Sequence, residues 1–398
     1  MKKTLNLFSV MATLTTLTLL TGCGSDDVIN DPTADNPITF SITANNESRS
    51  TEFYCNNNKP SQIYVSATYL GKPYMTNEVY KESSGVWSAT GLKHYWPNDN
   101  PLTFYATNVK TGGNITVDWT VAGRGITYTP ETAASNQKDI LYAVAIATKP
   151  KRQFTTPLNF RHALSLVAFK AKNEIPHAQI TIESITINGI ATSGKFIFPS
   201  AATTPNGQNH TGGAAYPAAA SVGSWKNLVY PTSGRGKYFT AVPLAGTVVI
   251  PVTNRNVVNL TDLSLTNNKE TNYGQTLMLI PQTRTAWNPE TAQKPFAQTN
   301  AYLTVKCKIQ NIAKENDTKP SASDIYIWAT EDGKSKELAI PLSINWEPGK
   351  KYVYTIVFNG KGNGGYNPDG GEVLVPIKLD VSVDNFGNGG NGAIDVAP

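Results

Sequence analysis

Residues 158–173 read LNFRHALSLVAFKAKN and belong to the sharpest pattern in the chain, with apolar and polar side chains alternating around His162. Alternate side chains of a strand point to opposite faces of a sheet, so this run predicts half-buried β-structure. His162 lies beside Phe160 and Leu164, where we expect a hydrogen-bonded structural histidine rather than a catalytic one. On both sides of this segment, short alternating runs rich in Val, Ile, Thr, Tyr and Phe recur, and none has a helical period. The sequence therefore predicts an all-β protein.

The predicted strands are short and are separated by turn residues such as those at 112–114. In the first half of the chain they cover residues 37–44, 63–69, 86–89, 102–107, 115–121 and 140–147. This spacing is typical of β-sandwiches. The length of 398 residues suggests two domains, and 40% hydrophobic residues are enough for a core in each. A net charge of only +5, without a basic cluster, argues against a nucleic-acid partner.

The N-terminus has the pattern of a bacterial lipoprotein signal. Two lysines precede an apolar, Thr-rich stretch, and Leu20-Thr21-Gly22-Cys23 resembles the lipobox, in which the cysteine is lipidated before cleavage. We expect residues 1–22 to be the signal peptide, Cys23 to carry the lipid and residues 23–36 to form a polar tether. The alternative is an ordinary signal peptide with an incidental cysteine. Elsewhere the sequence has no apolar stretch of the ~20 residues needed to span a bilayer, so the lipid is the expected anchor.

The sequence contains no motif typical of catalysis or metal binding. Its four histidines have no His-x-x-x-His spacing, and neither a Cys-x-x-Cys pair nor a Gly-x-Ser-x-Gly elbow occurs. We therefore expect no catalytic residues, no metal and no cofactor. Two further cysteines, Cys55 and Cys307, either form a disulfide in an oxidising compartment or lie singly in β-cores, which is the more usual place for isolated cysteines.

A series of short motifs runs along the chain in a characteristic order. They are DILYA at 139–143, the run at 158–173, ITIESITING at 180–189, GKFIF at 194–198, IPQ at 280–282 and WEPGKKYVYTI at 346–356. Each is weak alone, but together with the lipobox their order resembles the fimbrillin family of the Bacteroidales, the subunits of type V pili and related surface adhesins. The resemblance covers essentially the whole chain. It implies two transthyretin-like β-sandwich domains in tandem after a lipoprotein signal peptide, which we place at residues 37–156 and 157–398.

The resemblance also implies a mode of assembly. In this family a trypsin-like, arginine-specific protease cuts the loop after the first strand, which leaves and is replaced by a strand of another subunit. Ile38, Phe40 and Ile42 alternate along the first predicted strand and would be the displaced side chains. Arg49, in the polar linker that follows, would be the cleavage site. Losing a strand uncovers ladder hydrogen bonds and apolar pockets, which an incoming strand can satisfy. The alternative is that Arg49 is an ordinary solvated loop arginine.

The expected partners follow from the same resemblance. They are other pilus subunits, an arginine-specific protease, the outer membrane through the lipid on Cys23, and an unidentified ligand on a host or bacterial surface. The expected location is the cell surface and the fimbrium. Two rival functions stay open, namely a glycan-binding outer-membrane lipoprotein of a polysaccharide-uptake system and a hydrolase with a β-sandwich accessory domain.

The C-terminal tail departs from the pattern of the family's stalk subunits, which donate a C-terminal strand. After the last predicted strand, at residues 373–383, the tail is glycine-rich, and only residues 393–397 are apolar. That segment is short for a donor strand. A tip or accessory subunit, which accepts a strand without donating one, is therefore at least as consistent with the sequence as a stalk subunit.

Overall fold

The structure is a computed structural model, and it describes most of the chain between Pro37 and Asp395. The described residues are 37–44, 60–132, 134–149, 155–200, 222–232, 240–241, 248–250, 257–261, 276–291, 294–295, 299–312, 325–359, 364–368, 373–385 and 394–395. The predicted signal peptide and tether, at residues 1–36, therefore lie outside the described residues, as do Cys23, Arg49 and Cys55.

The described residues form strands almost throughout, with one short 3-10 turn at Ala134–Asn136, which confirms the predicted all-β class. The strands of the first half are β1 Phe40–Ala44, β2 Gln62–Tyr69, β3 Lys72–Ser83, β4 Val86–Ala89, β5 Leu102–Thr107, β6 Ile115–Asp118, β7 Gly125–Tyr128, β8 Leu141–Ala147 and β9 Thr156–His162. Next come β10 Ser165–Asn173, β11 Ala178–Asn188, β12 Ser193–Ile197, β13 Ser224–Val229, β14 Thr240–Ala241, β15 Val248–Ile250, β16 Val258–Asn259, β17 Leu277–Leu279 and β18 Thr283–Arg284. The last strands are β19 Tyr302–Asn311, β20 Tyr326–Trp328, β21 Lys336–Pro341, β22 Ile344–Asn345, β23 Lys350–Phe358, β24 Gly364–Tyr366, β25 Val373–Asn385 and β26 Ile394–Asp395.

Seven strands of the first half close into a barrel in the order β1-β4-β3-β2-β5-β8-β9. All neighbours are antiparallel except β1 and β9, which run parallel and complete the ring. Alternate side chains of each strand point inward and fill a barrel of this size. Ile63 and Val65 on β2 and Phe104 on β5 are fully buried in this way.

Thirteen strands of the second half form one large sheet. Its main path runs β14-β11-β19-β21-β24-β25-β23-β10-β16, with β15, β17, β20 and β26 attached at its sides. One face of this sheet carries the largest apolar cluster of the described residues, which includes Phe169, Ile182, Leu303 and Trp346. The segment at 158–173 therefore serves two sheets, because β9 belongs to the barrel and β10 to the large sheet.

A third sheet combines strands from both halves of the chain. Its order is β13-β12-β7-β6, so β7 of the first half pairs with β12 of the second. Beneath it, Ile126 and Tyr142 share an apolar cluster with Phe196 and Phe198. The Trp225 indole N–H, on β13, donates to the Ala163 carbonyl at 2.6 Å, where the chain passes from β9 to β10. This shared sheet and its core join the two halves into one packed unit.

The division into two tandem domains stays a prediction, and strand pairing bears on where its boundary would fall. The predicted boundary at Pro157 lies inside β9, whose residues pair with β1 and β8 of the barrel. The chain first joins the large sheet at β10. We therefore propose to place the boundary at Ala163 and Leu164.

Several predicted strand limits coincide with the observed ones, whereas the first strand, predicted at 37–44, begins at Phe40. The strands predicted at 86–89 and 102–107 are β4 and β5. The strand predicted at 115–121 ends earlier, at Asp118. Its carboxylate accepts hydrogen bonds from the Thr120 N–H at 3.0 Å and hydroxyl at 2.7 Å. Such a side-chain turn offers the backbone an alternative to the sheet ladder and ends the strand.

Cys307 is a free thiol on β19, fully buried between β11 and β21. Burial raises the pKa of this thiol, and the nearby Glu183 carboxylate adds to the effect.

Because the thiolate is the reactive form, we expect Cys307 in a Cys55→Ser variant to react with a thiol reagent at least about a hundredfold more slowly in native buffer than in denaturant. Fast reaction of the native protein would contradict this expectation. Without reductant, the denatured wild-type chain from Gly24 should titrate as two thiols, because Cys307 is unpaired, and a titration of none would contradict this.

Candidate functional site

The candidate site is the slot that β1 occupies in the barrel. Along β9, β1 pairs in parallel over five residues, from Phe40 opposite Thr156 to Ala44 opposite Phe160. Its other neighbour, β4, pairs with it only at Phe40 opposite Trp87. β1 is therefore held firmly on one side and lightly on the other.

The residues just before β1 extend its attachment. The Ile38 N–H donates to the His94 carbonyl at 2.8 Å, and the Thr156 N–H donates to the Thr39 carbonyl at 2.9 Å. Pro37 forms an isolated bridge with Tyr95. The first described segment of the chain thus lies against β9 on one side and against the loop before β5 on the other.

The side chains of this segment alternate as predicted. Ile38 and Phe40 are essentially fully buried in the barrel core, and Ile42 is partly buried against the same cluster. Phe40 makes edge-to-face contacts with Tyr80 at 4.8 Å and with Phe104 at 5.1 Å between ring centroids. Phe40 is therefore the central side chain with which β1 fills the barrel.

Removal of β1 from the slot would expose backbone hydrogen-bonding groups and an apolar pocket side by side. The β9 edge from Thr156 to Phe160 would lose its parallel partner, and the barrel would open between β4 and β9. Unpaired strand edges are templates for another extended chain, and the Phe40 pocket would select a large apolar side chain. The empty slot can therefore bind an extended strand through backbone hydrogen bonds and one large apolar side chain.

The structure describes only some of the residues that the sequence predicted for this site. Ile38, Phe40 and Ile42 lie together on the inward face, whereas Cys23 and Arg49 lie outside the described residues, with Arg49 beyond the last residue of β1 in the chain. Of the apolar tail at 393–397, the structure describes β26, which pairs antiparallel with β25 at Ser382 and Val383. The walls of the pocket, Tyr80 and Phe104, were not predicted, since no local pattern relates either of them to Phe40.

His162 was expected to be a hydrogen-bonded structural histidine, and the structure supplies a hydrogen-bond partner for it. It ends β9 half-buried, and its Nδ1 lies 2.7 Å from the Asp139 carboxylate. Among the described residues, no group of three or more His, Cys, Asp or Glu side chains is arranged to hold a metal ion. In the same part of the chain, no helix is both long enough and apolar enough to cross a membrane.

Comparison with known proteins now defines the class. A family model described as fimbrillin-like matches residues 30–374, and the chain belongs to this family. Solved structures similar to it include a fimbrial protein from Bacteroides vulgatus, with 14% identity and a TM-score of 0.46 over 88% of this chain and 99% of that chain. A proposed cell adhesion protein from Parabacteroides distasonis has 10% identity and a TM-score of 0.45, over 88% and 98% of the two chains. Another from Bacteroides ovatus has 11% identity and a TM-score of 0.40, over 88% and 97%. No curated protein sequence matches this chain.

Proposed function

We propose that this protein is the precursor of a fimbrial subunit or tip adhesin that assembles by protease-triggered strand exchange and mediates cell adhesion. Membership of the fimbrillin-like family supports a role as a fimbrial or adhesion subunit at the cell surface. One observation supports the mechanism most directly. Strand β1 closes the barrel through its parallel pairing with β9 and through the buried Phe40 side chain.

The proposed sequence of events starts with a cut after Arg49. The cut leaves the segment carrying Ile38, Phe40 and Ile42 attached by non-covalent contacts alone, so it can leave the barrel. An extended strand of another subunit then restores the β9 ladder and refills the pocket. Because this contact joins two different surfaces, it does not close on itself and builds a filament.

The proposed location follows from the N-terminal residues. A lipid on Cys23 would hold the precursor at the outer membrane, with residues 23–36 as the tether to Pro37, where the described fold begins. Cleavage after Arg49 would then separate the folded part from both tether and lipid. In this scheme the same cut releases the subunit from the membrane and empties the slot.

The role within a filament depends on the C-terminal tail. In the structure β26 pairs with β25 over only Ile394 and Asp395. A donor strand for the β1 slot needs a longer alternating apolar run, which the residues around β26 do not have. We therefore propose a tip or accessory position rather than a stalk position. Membership of the fimbrillin-like family supports a structural rather than an enzymatic role.

The test compares the mature chain from Gly24 with an Arg49→Lys variant during digestion by an arginine-specific protease. We expect a single early cut after Arg49 in the wild-type chain, detected by mass spectrometry. The variant should be uncut at that position, although it keeps the positive charge and every other arginine. Slow dissociation of the N-terminal fragment and capture of a synthetic peptide with the sequence of residues 37–44 would support strand exchange.

The outcomes separate the parts of the proposal. Filaments or ladders of oligomers after the cut would indicate a subunit that both accepts and donates a strand. A clean cut with peptide capture and no polymers would indicate a tip or accessory subunit. Equal digestion of the two proteins, with first cuts at other arginines, would contradict the maturation mechanism.

A further inference from the structure

A row of aromatic rings lies at one end of the barrel. Tyr69 at the end of β2, Tyr74 on β3 and His94 in the loop before β5 follow one another, with centroids 6.2 and 6.1 Å apart. All three are partly exposed, and the two tyrosines pack their inner sides on the barrel core. Each pair of rings is tilted by 54°. The row therefore presents three partly exposed rings from a rigid base, with 15% of the His94 side chain open to solvent.

Hydrogen-bonding side chains stand at both ends of this row. At one end, the Glu78 carboxylate lies 3.2 Å from the His94 Nε2. At the other, the Tyr69 hydroxyl donates to the Asp99 carboxylate at 2.9 Å, and the Asn100 amide approaches the same hydroxyl at 3.5 Å. Each carboxylate has acceptor capacity beyond these contacts. An apolar surface is thus bordered by acceptors and donors already held in place.

A β-bulge places the central ring. On β2 and β3, Ala67 pairs with Met75 and the next residue, Thr68, pairs with Pro73, so Tyr74 is the extra residue of the bulge. Bulges at barrel rims and next to binding sites re-aim a side chain at the cost of a regular ladder. The Tyr74 hydroxyl then donates to the Tyr95 carbonyl, which ties the bulge to the loop that carries His94.

The turn beside the row is a two-residue hairpin, a geometry that needs positive φ at both central residues. Leu70 has φ of 49°, a conformation unfavourable for a residue with a Cβ, and its side chain is 67% exposed. It forms the tip between β2 and β3 with Gly71, at φ of 76°. Gly or Asn would fit this position better in a simple hairpin. The turn closes β2 onto β3 directly beside Tyr69, which pairs with Lys72 across it.

We propose that the row formed by Tyr69, Tyr74 and His94 is a binding site for a neutral saccharide. A sugar ring has an apolar C–H face, which packs on aromatic rings, and hydroxyl groups at its edge, which donate to carboxylates. The row offers both in the required order, with rings in the middle and Glu78 and Asp99 at the ends. The mouth of a β-barrel is a common place for such a site. The site is complete in the uncleaved chain, so it does not depend on strand exchange.

The competing occupant is a basic peptide, since two carboxylates also attract Lys and Arg. A peptide strand would need an open backbone edge for its ladder, and in the barrel both β2 and β3 are paired on both sides. The arrangement of rings between acceptors therefore favours a saccharide. Binding of a basic peptide is therefore one of the outcomes that the test below distinguishes.

The test probes the uncleaved chain from Gly24 with a printed array of neutral and acidic oligosaccharides and a matched set of lysine-rich peptides. We expect binding to at least one neutral oligosaccharide, with the dissociation constant then measured by calorimetry. Tyr74→Ala should weaken that binding at least about tenfold, the effect of losing about 1.4 kcal/mol of ring contact. Because Tyr74→Ala also affects the bulge, Asp99→Asn and Glu78→Gln provide variants that keep all three rings, and each should weaken binding severalfold.

The matched control is Tyr326→Ala, which removes a tyrosine of 40% exposure from β20 in the large sheet. It should bind as tightly as the wild type, and thermal melting should show that the carboxylate variants are folded. Binding of lysine-rich peptides in place of sugars would overturn the proposal. So would binding to no neutral oligosaccharide, or binding that all three variants leave unchanged.

Discussion

Replacing Phe40 by alanine is expected to lower the free energy of unfolding of the barrel by about 3–5 kcal/mol, the usual cost of removing a fully buried phenylalanine. The Phe40 ring is enclosed between Tyr80 and Phe104 and has no exposed surface. Its loss leaves a cavity that the barrel wall cannot easily fill, since the strands on both sides are held by ladder hydrogen bonds. The effect should be among the largest of any single substitution in β1.

Hydrogen exchange is the suitable measurement, because it reports the stability of the barrel separately from that of the large sheet. Peptides covering β2 and β5 should lose protection in Phe40→Ala. The matched control is Thr39→Ala, which changes the neighbouring side chain on the other face and keeps the Thr39 carbonyl that accepts from Thr156. It should cost less than about 1 kcal/mol. Equal effects of the two substitutions would show that the Phe40 pocket does not hold β1.

The same substitution bears on the proposed maturation. After cleavage at Arg49, the segment with Phe40 would be held by its ladder and pocket contacts alone. Weakening the pocket should therefore speed the release of this segment and its exchange for the synthetic peptide. If Phe40→Ala destabilised the barrel without changing the exchange rate, release would be limited by the β9 ladder rather than by the pocket.

Replacing Phe196 by alanine is the second substitution with a large expected effect, again about 3–5 kcal/mol. Phe196, on β12, is fully buried, and its ring lies 4.5 Å from that of Tyr142 on β8 and 5.7 Å from that of Trp225 on β13. Because its neighbours come from both halves of the chain, it supports the shared sheet rather than one half. We expect the barrel and the large sheet to be destabilised together.

Hydrogen exchange also tests this prediction, with peptides from β2 in the barrel and β19 in the large sheet. Both should lose protection in Phe196→Ala. Lys195→Ala is the control on the adjacent position, where a partly exposed ion pair joins Lys195 to Asp118 at 3.0 Å. Such pairs contribute at most about 1 kcal/mol, so this variant should stay close to the wild type. Loss of protection confined to β19 would show that the halves unfold independently.

Local patterns were sufficient for much of this fold. Strands were predicted at residues 37–44, 86–89 and 102–107, and the structure contains a strand in each. The period-two alternation at 37–44 reflects the burial of one face of that strand. The inward direction of Ile38 and Phe40 was predictable for the same reason. The ordered motifs predicted the family to which the chain belongs. Each of these inferences uses residues that are neighbours in sequence.

Strand partners could not be predicted in this way. The pairing of β1 with β9 is parallel and joins residues far apart in the chain, so nothing in either strand specifies the other. The pairing of β7 with β12 likewise joins the two halves, and it was absent from a prediction of two separate sandwiches. The aromatic row depended in addition on a bulge, which a one-residue change of register creates at Tyr74.

The sequence by itself thus determined the all-β class, the position of several strands, the buried face of the first strand and the family, because short-range patterns in the residues reflect burial and family membership. Tertiary structure alone decided which strand closes the barrel, how the halves share a sheet and which rings stand together at its end. These features arise from contacts between segments distant in the chain, and the free energy of such contacts depends on the packing of the whole barrel rather than on any one strand.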